Sequence, residues 1–456
     1  MLRATFAALL LCLATPLLAA PLTPVQKAAI DAAVMRILKA SDVPSASIAI
    51  VTDGQLDYAR GYGDQRLDGT PPTATTRYPI ASISKQFTAA AILLLAEDGK
   101  LSLEDKVAKY LPSLTDAGKV TIRELLGHTS GYRDYWPQDF RFEAMTHPTT
   151  PQAIVDRWAR APLDYPPGTK WQYSNTGYVV AGLIAEIVAK EPLHDFEQRR
   201  LFRPLGMAVV LGTSGLAPGD AHGTSRYALG PVHPTPGEQE GWVFAAGDLA
   251  LTPGELAKWN IARLDRRLLK ATSWQLQETN VAPADAGLEY GLGVFLDKSH
   301  SHARVQHDGA LTAFLASNRV YPDERAAITV FINAGFSNSQ DAIADAIEDV
   351  LFNSASDVAN ARAVYEMLRS GKIDRTRFTE NGNFYFTPQA LADYQASLSA
   401  LGELQDIVRT KPPSLRGGLT SERYLLRFAS RRLLAVVRAE PDTGRVEQFA
   451  LYPYSD

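Results

Sequence analysis

The 456-residue sequence contains one cysteine, Cys12, which lies in an apolar stretch close to the N-terminus. We expect that stretch to be cleaved from the mature protein, so the mature chain has no thiol. A chain without thiols cannot form a disulfide, use a cysteine nucleophile or ligate zinc through cysteine. The scarcity of cysteine therefore excludes all three kinds of chemistry.

The sequence also lacks any long run of charge of one sign. It has 46 basic and 50 acidic residues, which give a formal net charge of -4. Such a balance creates no overall field that would attract nucleic acid or an acidic membrane surface. Beyond the N-terminus, no apolar run is long enough to span a bilayer. We therefore expect no nucleic-acid partner and no stable membrane insertion of the mature chain.

The N-terminal stretch has the three parts of a secretory signal peptide. Arg3 supplies a positive start, residues 6–18 are almost all apolar, and small residues end the stretch at Ala20. This pattern predicts a signal peptide over 1–20 and a periplasmic or secreted protein. The alternative is a membrane anchor, but the apolar run is shorter than the ~20 residues that a spanning helix needs, and Pro16 interrupts it.

Hydrophobic periodicity predicts an α+β fold in two domains. Strand patterns come first, a helix-rich middle follows, and strands return before a final helix, so both ends of one domain are expected to share an antiparallel sheet. We place this domain at 21–352 and a polar linker at 353–357. Its strands are predicted at 45–52, 56–62, 288–296, 303–306, 314–321 and 326–334.

Residues 358–456 are predicted to form a small α+β accessory domain. By analogy alone, the order of its elements is similar to a cystatin-like sheet packed by helices. Two roles stay open: a module that steadies or borders the first domain, and a module that binds cell wall or a partner. The elements are predicted as helices at 358–370 and 388–404 and strands at 424–428, 433–439 and 446–452.

Ser82 and Lys85 form a Ser-x-x-Lys pattern at the start of the most apolar helical segment. Residues three apart share a helix face, so the Lys85 amine can reach the Ser82 hydroxyl. The helix N-terminus favours negative charge near Ser82, and burial disfavours the ammonium form of the lysine. The pattern therefore suggests a serine nucleophile with a lysine base, against the alternative of a polar cap followed by a surface lysine.

Tyr173 and Asn175 belong to a second motif, Tyr-Ser-Asn, which follows a Pro- and Gly-rich loop and precedes a helix. A tyrosine beside a lysine, either ionised or strongly hydrogen-bonded, can relay a proton. The Asn175 amide can hold a substrate amide. The structural alternative is a core aromatic residue followed by a helix N-cap.

His307, Asp308 and Gly309 form a third motif at the end of a predicted strand. A glycine there lets a substrate backbone approach the strand edge. The Ala310 amide can then pair with the amide of the serine nucleophile as an oxyanion hole. His307 can hydrogen bond to a carboxylate or to the tyrosine of the second motif. The structural alternative is a solvated histidine in a turn.

Together these motifs resemble those of the class C β-lactamase and D,D-peptidase group of serine hydrolases, the penicillin-binding-protein-like family. That group carries Ser-x-x-Lys, Tyr-x-Asn and Lys/His-x-Gly in this order. The resemblance spans about residues 24–352 and includes SISKQFTAAAILLLAEDGKLSLEDKVAKYLP over 82–112, LLGHTSGY over 125–132 and WQYSNTG over 171–177. It implies a β-lactamase/transpeptidase-like antiparallel sheet flanked by helices, with a helical subdomain.

The resemblance also implies a role for each candidate site residue. The catalytic set would be Ser82 as the acylated nucleophile, with Lys85 and Tyr173 sharing the proton transfers. The family's reaction needs neither a metal nor an organic cofactor. The substrate-binding set would be Asn175, His307, Gly309 and Ala310, the last of which completes the oxyanion hole.

Two departures from the family pattern bear on the substrate. His307 stands where β-lactamases commonly have lysine, and Ala313 stands where glycine is usual before Phe314, which we expect to narrow the mouth of the site. We therefore expect an exported serine hydrolase for D-amino-acid peptides such as cell-wall fragments, β-lactams or carboxylic esters, leaning to peptidase or esterase. The alternative is a non-catalytic binding or scaffold protein of the same fold.

Two further histidine-bearing segments receive structural interpretations. His128 and Ser130 lack the Gly-x-Ser-x-Gly spacing of a lipase-type nucleophile, so we predict a turn. His300 and His302 have no carboxylate pair nearby in the sequence to complete a metal site, so we predict a solvated loop.

Overall fold

The computed structural model describes residues 21–138, 140–283, 289–299, 302–352, 355–441 and 443–454. The predicted signal peptide, 1–20, and the first two residues of the predicted linker lie outside the described residues. The chain divides into two compact units. The first consists mainly of Val34–Asp297 and His302–Ala342, and the second mainly of Ile343–Asp456.

The helices and strands are numbered here in chain order. The α-helices are α1 Pro24–Ser41, α2 Lys85–Glu97, α3 Ile122–Leu126, α4 Pro151–Ile154, α5 Asn175–Ala189, α6 Leu193–Glu197, α7 Arg203–Leu205, α8 Phe244–Gly247, α9 Pro253–Leu264, α10 Ala271–Gln277, α11 Ser339–Phe352, α12 Ala355–Ser370, α13 Glu380–Tyr385 and α14 Pro388–Ser399. The strands are β1 Ser45–Thr52, β2 Gln55–Gly63, β3 Tyr78–Pro79, β4 Val210–Leu211, β5 Thr224–Ser225, β6 His233–Pro234, β7 Leu249–Leu251, β8 Ala282–Pro283, β9 Glu289–Tyr290, β10 Phe295–Ser299, β11 His302–Leu311, β12 Phe314–Tyr321, β13 Ala326–Ile332, β14 Asp406–Arg416, β15 Leu419–Arg427, β16 Arg432–Ala439 and β17 Val446–Pro453.

The main sheet of the first unit has eight strands in the order β2-β1-β13-β12-β11-β10-β9-β8. β1 is buried along its whole length, and it pairs antiparallel with β2 on one side and β13 on the other. The β1–β2 turn uses Asp53 and Gly54, both at positive φ, as a two-residue hairpin requires. Both ends of the domain thus share one antiparallel sheet, and the predicted α+β fold is confirmed.

The predicted strand at 288–296 is wrong in its central part. The structure has two short strands, β9 and β10, with Gly293 between them at a φ of +80°. A Cβ atom at position 293 would lie 2.8 Å from the carbonyl oxygen of Lys85. The backbone therefore turns on a glycine where it passes close to the start of α2, and this turn interrupts the strand.

The second unit contains a four-stranded sheet in the order β14-β15-β16-β17, with every neighbouring pair antiparallel. We predicted three strands and missed β14, because Pro412 and Pro413 break its strand pattern. Irregular pairing around Lys411 accommodates these prolines within the strand. Helix α12 begins at Ala355, inside the predicted linker. No helix in the described part of the chain has the length and hydropathy that crossing a membrane would require.

Helix α2 is buried from Lys85 to Leu95, as its apolar sequence predicts. A buried arginine, Arg263, helps to fix its first turn. Arg263 donates to the side-chain oxygen of Gln86 at 3.1 Å and to that of Gln277 at 2.8 Å. Its charge is balanced by Glu278 at 2.8 Å. Because Gln86 follows Lys85 directly, this network holds the start of α2 in place.

We expect Glu278→Ala to lower the free energy of unfolding by about 3 kcal/mol, because it leaves the buried Arg263 guanidinium without its counter-ion. Asp156→Ala removes an exposed ion pair with Arg160 and serves as the control, with an expected cost of about 0.5 kcal/mol or less. Urea unfolding measures both variants. Equal losses in the two would mean that the buried pair does not stabilise the fold.

Candidate active site

Ser82 lies in a single 3₁₀ turn, Ala81–Ser84, that leads directly into α2. The preceding residue, Ala81, is buried and adopts a φ of +50°, a conformation that costs energy in a residue with a side chain. We predicted Ser82 at the start of the helix itself. The structure instead presents it from a strained turn, and the Lys85 amine reaches its hydroxyl oxygen at 2.9 Å.

Gly309 lets strand β11 lie directly against this turn. A Cβ atom at position 309 would come within 2.2 Å of the Ile80 carbonyl oxygen and 3.1 Å of the Ala81 Cβ. The glycine therefore admits the protein's own backbone. Gly309 also lines a cavity with Ser82, and its predicted contact with substrate stays a prediction. Ala310, the next residue, lines the same cavity as Ser82. An oxyanion hole formed by the Ser82 and Ala310 amides stays a prediction.

The Lys85 side chain is fully buried and its Nζ contacts three oxygens. Two of them can only accept hydrogen bonds: the Asn175 side-chain oxygen at 2.8 Å and the Ala246 carbonyl at 2.7 Å. A neutral amine has two N–H groups and one lone pair. If the two acceptors take the two N–H groups, the lone pair of neutral Lys85 faces the third partner, the Ser82 hydroxyl.

The protonation of Lys85 is finely balanced. Burial lowers the pKa of Lys85 to about 7 from 10.5, and the nearby Asp134 carboxylate opposes this shift. Near neutral pH the amine is therefore present in both forms. The neutral form is the one that can accept a proton from Ser82.

Asp134 is a site residue that the sequence analysis missed. Its carboxylate accepts hydrogen bonds from the Asn175 backbone N–H at 3.1 Å and from its side-chain Nδ2 at 3.2 Å. Because a carboxylate cannot donate to the Asn175 oxygen, this pairing orients the amide so that its oxygen points to Lys85. An acidic residue just after the predicted His-Thr-Ser-Gly-Tyr turn was the only available signal. The substrate contact that we predicted for Asn175 stays a prediction.

Tyr173 completes the group around Ser82. The Lys85 Nζ lies 4.8 Å from the centre of the Tyr173 ring, and the Tyr173 phenol is close enough to Ser82 for the serine side chain to affect its pKa. Burial raises the pKa of Tyr173 above its ordinary value of 10.0, with the Ser82 side chain acting in the opposite direction. Of the two states we considered for this tyrosine, the raised pKa favours the neutral phenol over the ionised one. Residues 82, 85 and 173 therefore converge, although they come from two distant segments.

His307 takes part in a buried hydrogen-bond chain with His128 and Tyr290. Its Nδ1 donates to the Asp308 carbonyl at 2.6 Å, so in the neutral ring Nε2 accepts from Tyr290 at 3.1 Å. Tyr290 in turn accepts from His128 Nε2 at 3.1 Å, and His128 Nδ1 accepts from the Ser174 backbone N–H at 3.1 Å. Burial lowers the pKa of His307 to about 3 and that of His128 well below 6.5. Both rings are therefore neutral.

This chain corrects two expectations. His307 bonds to Tyr290, whereas we predicted a carboxylate or Tyr173 as its partner. His128 does lie in a turn, at a φ of +59°, but it also ties the Tyr-Ser-Asn segment to strand β11 through Tyr290. No local pattern in the sequence indicates this link, because its members lie far apart along the chain.

Ser82 opens onto a cavity of about 980 Å³ in the first unit. Aromatic residues and uncharged polar groups form most of its wall. Among the described residues that line it, none is lysine or arginine, while Asp134 and Asp308 are acidic. Its aromatic lining residues are Tyr135, Trp136, Trp171, Tyr173, Phe295 and Phe336.

Comparison with known proteins identifies the family. A family model described as β-lactamase matches residues 30–351, well over half of the chain. The chain belongs to the β-lactamase family. The family assignment made from the three motifs is therefore confirmed, and so is the β-lactamase/transpeptidase-like fold.

Three known proteins are similar to this chain in sequence or in structure. Protein flp of Staphylococcus aureus (strain N315) is 30% identical over 320 residues, which cover 67% of this chain but only 62% of flp. The D-amino acid amidase from Ochrobactrum anthropi SV3, in complex with D-phenylalanine, has a TM-score of 0.65 and 26% identity, covering 71% of this chain and 99% of the amidase. The octameric penicillin-binding protein homologue from Pyrococcus abyssi has a TM-score of 0.64 and covers 95% of this chain and 97% of its own. At 21% identity it shows the fold alone.

One departure from the family pattern has a different effect from the one we expected. Ala313 is fully buried, and its Cβ would lie 2.4 Å from a Cβ atom at Gly223. Its methyl group therefore fills space beside Gly223, and Ala313 is not among the described residues that line the cavity. The prediction that Ala313 narrows the mouth of the site is wrong.

The described residues contain no group of three or more His, Cys, Asp or Glu side chains that could hold a metal ion. Of the two histidines considered for a metal, His300 lies outside the described residues. His302 begins strand β11 and hydrogen bonds to Glu324, so it does not lie in the predicted loop.

The lowered pKa of Lys85 predicts a pH-dependent stability difference between the wild type and Lys85→Met. The unfolded chain keeps the lysine proton up to about pH 10.5, whereas the folded protein releases it near pH 7. The destabilisation of the folded protein by the buried lysine is therefore complete below pH 7 and disappears as the pH rises towards 10.5. Between pH 7 and pH 9 we expect the wild type to gain more than about 1 kcal/mol in free energy of unfolding relative to the variant in urea unfolding.

Lys119→Met removes an exposed lysine and is the control for loss of such a side chain. A difference between the wild type and Lys85→Met that stays constant from pH 7 to pH 9 would contradict the lowered pKa.

Proposed function

We propose that this protein is an exported serine hydrolase that forms an acyl-enzyme on Ser82. One observation carries the proposal: the buried Lys85 Nζ lies 2.9 Å from the Ser82 hydroxyl oxygen and also contacts two oxygens that can only accept. If those two oxygens take the N–H groups of the neutral amine, its lone pair faces the Ser82 hydroxyl. Export to the periplasm or the medium rests on the predicted signal peptide. We propose an accessory role for the second unit, which carries no catalytic motif.

In the proposed reaction, the Ser82 proton passes to Lys85 as the oxygen attacks the substrate carbonyl. The negative charge that develops on the carbonyl oxygen is stabilised by the backbone N–H groups of Ser82 and Ala310. The leaving group takes a proton from Lys85 by way of the neutral Tyr173 phenol as its bond to the carbonyl carbon breaks. Water then cleaves the ester on Ser82, with the same groups moving its proton.

The charge of the cavity supports a choice among the substrates. A substrate with a carboxylate beside the scissile bond needs a cationic partner, and the described lining residues offer Asp134 and Asp308 instead, with His307 neutral. We therefore propose amides or esters whose acyl part is uncharged or carries an amino group, as in D-amino acid amides. The similarity to a D-amino acid amidase supports this choice. This choice ranks amidase or esterase activity above both the cleavage of D-alanyl-D-alanine and β-lactam turnover.

Labelling with a fluorophosphonate and with a fluorescent penicillin tests the nucleophile. We expect the wild type to be labelled by at least the fluorophosphonate and Ser82→Ala by neither reagent. Label that persists in Ser82→Ala would show that another residue is acylated. A wild type that takes no label and turns over no substrate would favour the alternative, a binding protein of the same fold.

A substrate panel accompanies the labelling: p-nitrophenyl butyrate, D-phenylalaninamide, D-alanyl-D-alanine and nitrocefin. We expect the first two to be hydrolysed with the higher kcat/KM, because neither brings a carboxylate into the acidic cavity. A preference for D-alanyl-D-alanine or nitrocefin would contradict the proposed substrate class.

The pH dependence of acylation tests the role of Lys85. If the neutral amine is the base, kcat/KM rises with a midpoint near pH 7. Asp134→Asn removes the carboxylate that favours the ammonium form, so we expect the midpoint to move to lower pH. Asp156→Asn, at an exposed acid outside the cavity, should leave the midpoint in place. An unchanged or more alkaline midpoint in Asp134→Asn would contradict the electrostatic coupling.

A further inference from the structure

The first unit contains a second cavity, of about 430 Å³, that shares no lining residue with the first. Both cavities are bordered by helix α8 and by the segment that runs from the 3₁₀ turn into α2. Ser84 and Thr88 of the 3₁₀ turn and α2 line the second cavity, whereas Ser82 lines the first. The short helix α8 likewise presents Phe244 and Ala245 to the second cavity and its last two residues to the first.

A buried carboxyl group that has no hydrogen-bond or ion-pair partner in the described part of the chain lines this cavity. Glu197, at the end of α6, has only 3% of its surface exposed. Within the described residues it makes neither a side-chain hydrogen bond nor an ion pair, and burial raises its pKa to about 8. Burying a carboxyl group with no partner costs free energy. The simplest explanation for such a group is that a bound ligand supplies its partner.

The neighbouring groups do not supply that partner. Glu186 accepts from the Leu193 backbone N–H at 2.9 Å, and Asp248 accepts from the Thr213 backbone N–H and hydroxyl, each at 2.8 Å. Burial raises the pKa of both carboxyl groups. The cavity therefore has three carboxyl groups in its wall, and Glu240 adds a fourth at an exposed position.

The basic groups on α6 and on the turn directly after it are engaged elsewhere or uncharged. Arg199 and Arg200, on the turn that follows α6, pair with Glu191 and Asp98. His194 lines the cavity with a buried Nδ1 that has no hydrogen-bond partner, and burial lowers the pKa of its ring. Neither lysine nor arginine is among the described lining residues.

We propose that this second cavity binds a small organic cation, a primary amine with an apolar body, whose ammonium group pairs with Glu197. An ammonium group would give the buried Glu197 both hydrogen-bond donors and a counter-charge, and would therefore favour the ionised carboxylate that burial alone disfavours. A neutral ligand would supply no such charge, and an anion would disfavour ionisation of the carboxyl groups in the wall. The apolar body would contact Leu193, Phe244 and Leu249, which line the rest of the cavity. This site is separate from the Ser82 site and does not depend on the proposed hydrolase activity.

The test uses the full-length Ser82→Ala protein, so that no turnover occurs, and two matched probes, 2-phenylethylamine and 2-phenylethanol. In isothermal titration calorimetry we expect the amine to bind and the alcohol to bind at least 10-fold more weakly, since a charge-assisted hydrogen bond contributes roughly 10- to 100-fold in affinity. Adding Glu197→Gln should abolish this preference. Adding Asp134→Asn, in the first cavity, should preserve it.

Three results would overturn the proposal: no amine binding to Ser82→Ala, equal binding of amine and alcohol, or a preference that disappears with Asp134→Asn and not with Glu197→Gln. A crystal of Ser82→Ala soaked with 2-(4-bromophenyl)ethylamine gives a readout that does not depend on the folding of the Glu197 variant. Anomalous bromine signal beside Leu193 and Phe244 would support the proposal. Signal only in the first cavity, or none, would refute it.

Discussion

The burial of one lysine amine is the constraint around which the active site is built. Removing an ammonium group from water is costly, so Lys85 remains in the core only because oxygens surround it. Two of these are fixed acceptors, one from Asn175 and one from the backbone of α8. Burial brings the pKa into the neutral range, and the fixed acceptors leave the lone pair for Ser82. The buried position of the Lys85 amine therefore both costs folding free energy and prepares the amine to accept the Ser82 proton.

The rest of the first unit keeps that amine in place. Asp134 orients the amide of Asn175, and the Arg263 network holds the first turn of α2 through Gln86. Gly309 allows β11 to press against the turn that carries Ser82. The neutral histidines and Tyr290 then join β11 to the Tyr-Ser-Asn segment. Each contact joins segments that are distant in the sequence. The geometry of the site therefore depends on the folding of the whole first unit.

The carboxyl groups in the cavities on the two sides of α8 differ in their hydrogen-bond and charge partners. Towards the first cavity, Asp134 has the Asn175 amide and the Lys85 charge nearby. Towards the second cavity, Glu197 has neither an amide nor a cation among the described residues. The same helix therefore separates an acid that is integrated into a hydrogen-bond network from one that is left open to a ligand.

The order of the motifs, the buried character of α2, the β1–β2 hairpin and the family all follow from the sequence alone, because they depend on residue type and on neighbours a few positions away. Strand β14 and the break between β9 and β10 did not follow, since prolines mask the first and a distant carbonyl causes the second. Asp134, Tyr290, His128 and Glu197 also acquired their significance only through folding. Lys85 and the carbonyl that it contacts lie 161 positions apart, and a single sequence holds no local signal for such a contact. The residue types determined which chemistry was available, and the tertiary structure decided which atoms meet, which protons they share and which charges are left without a partner.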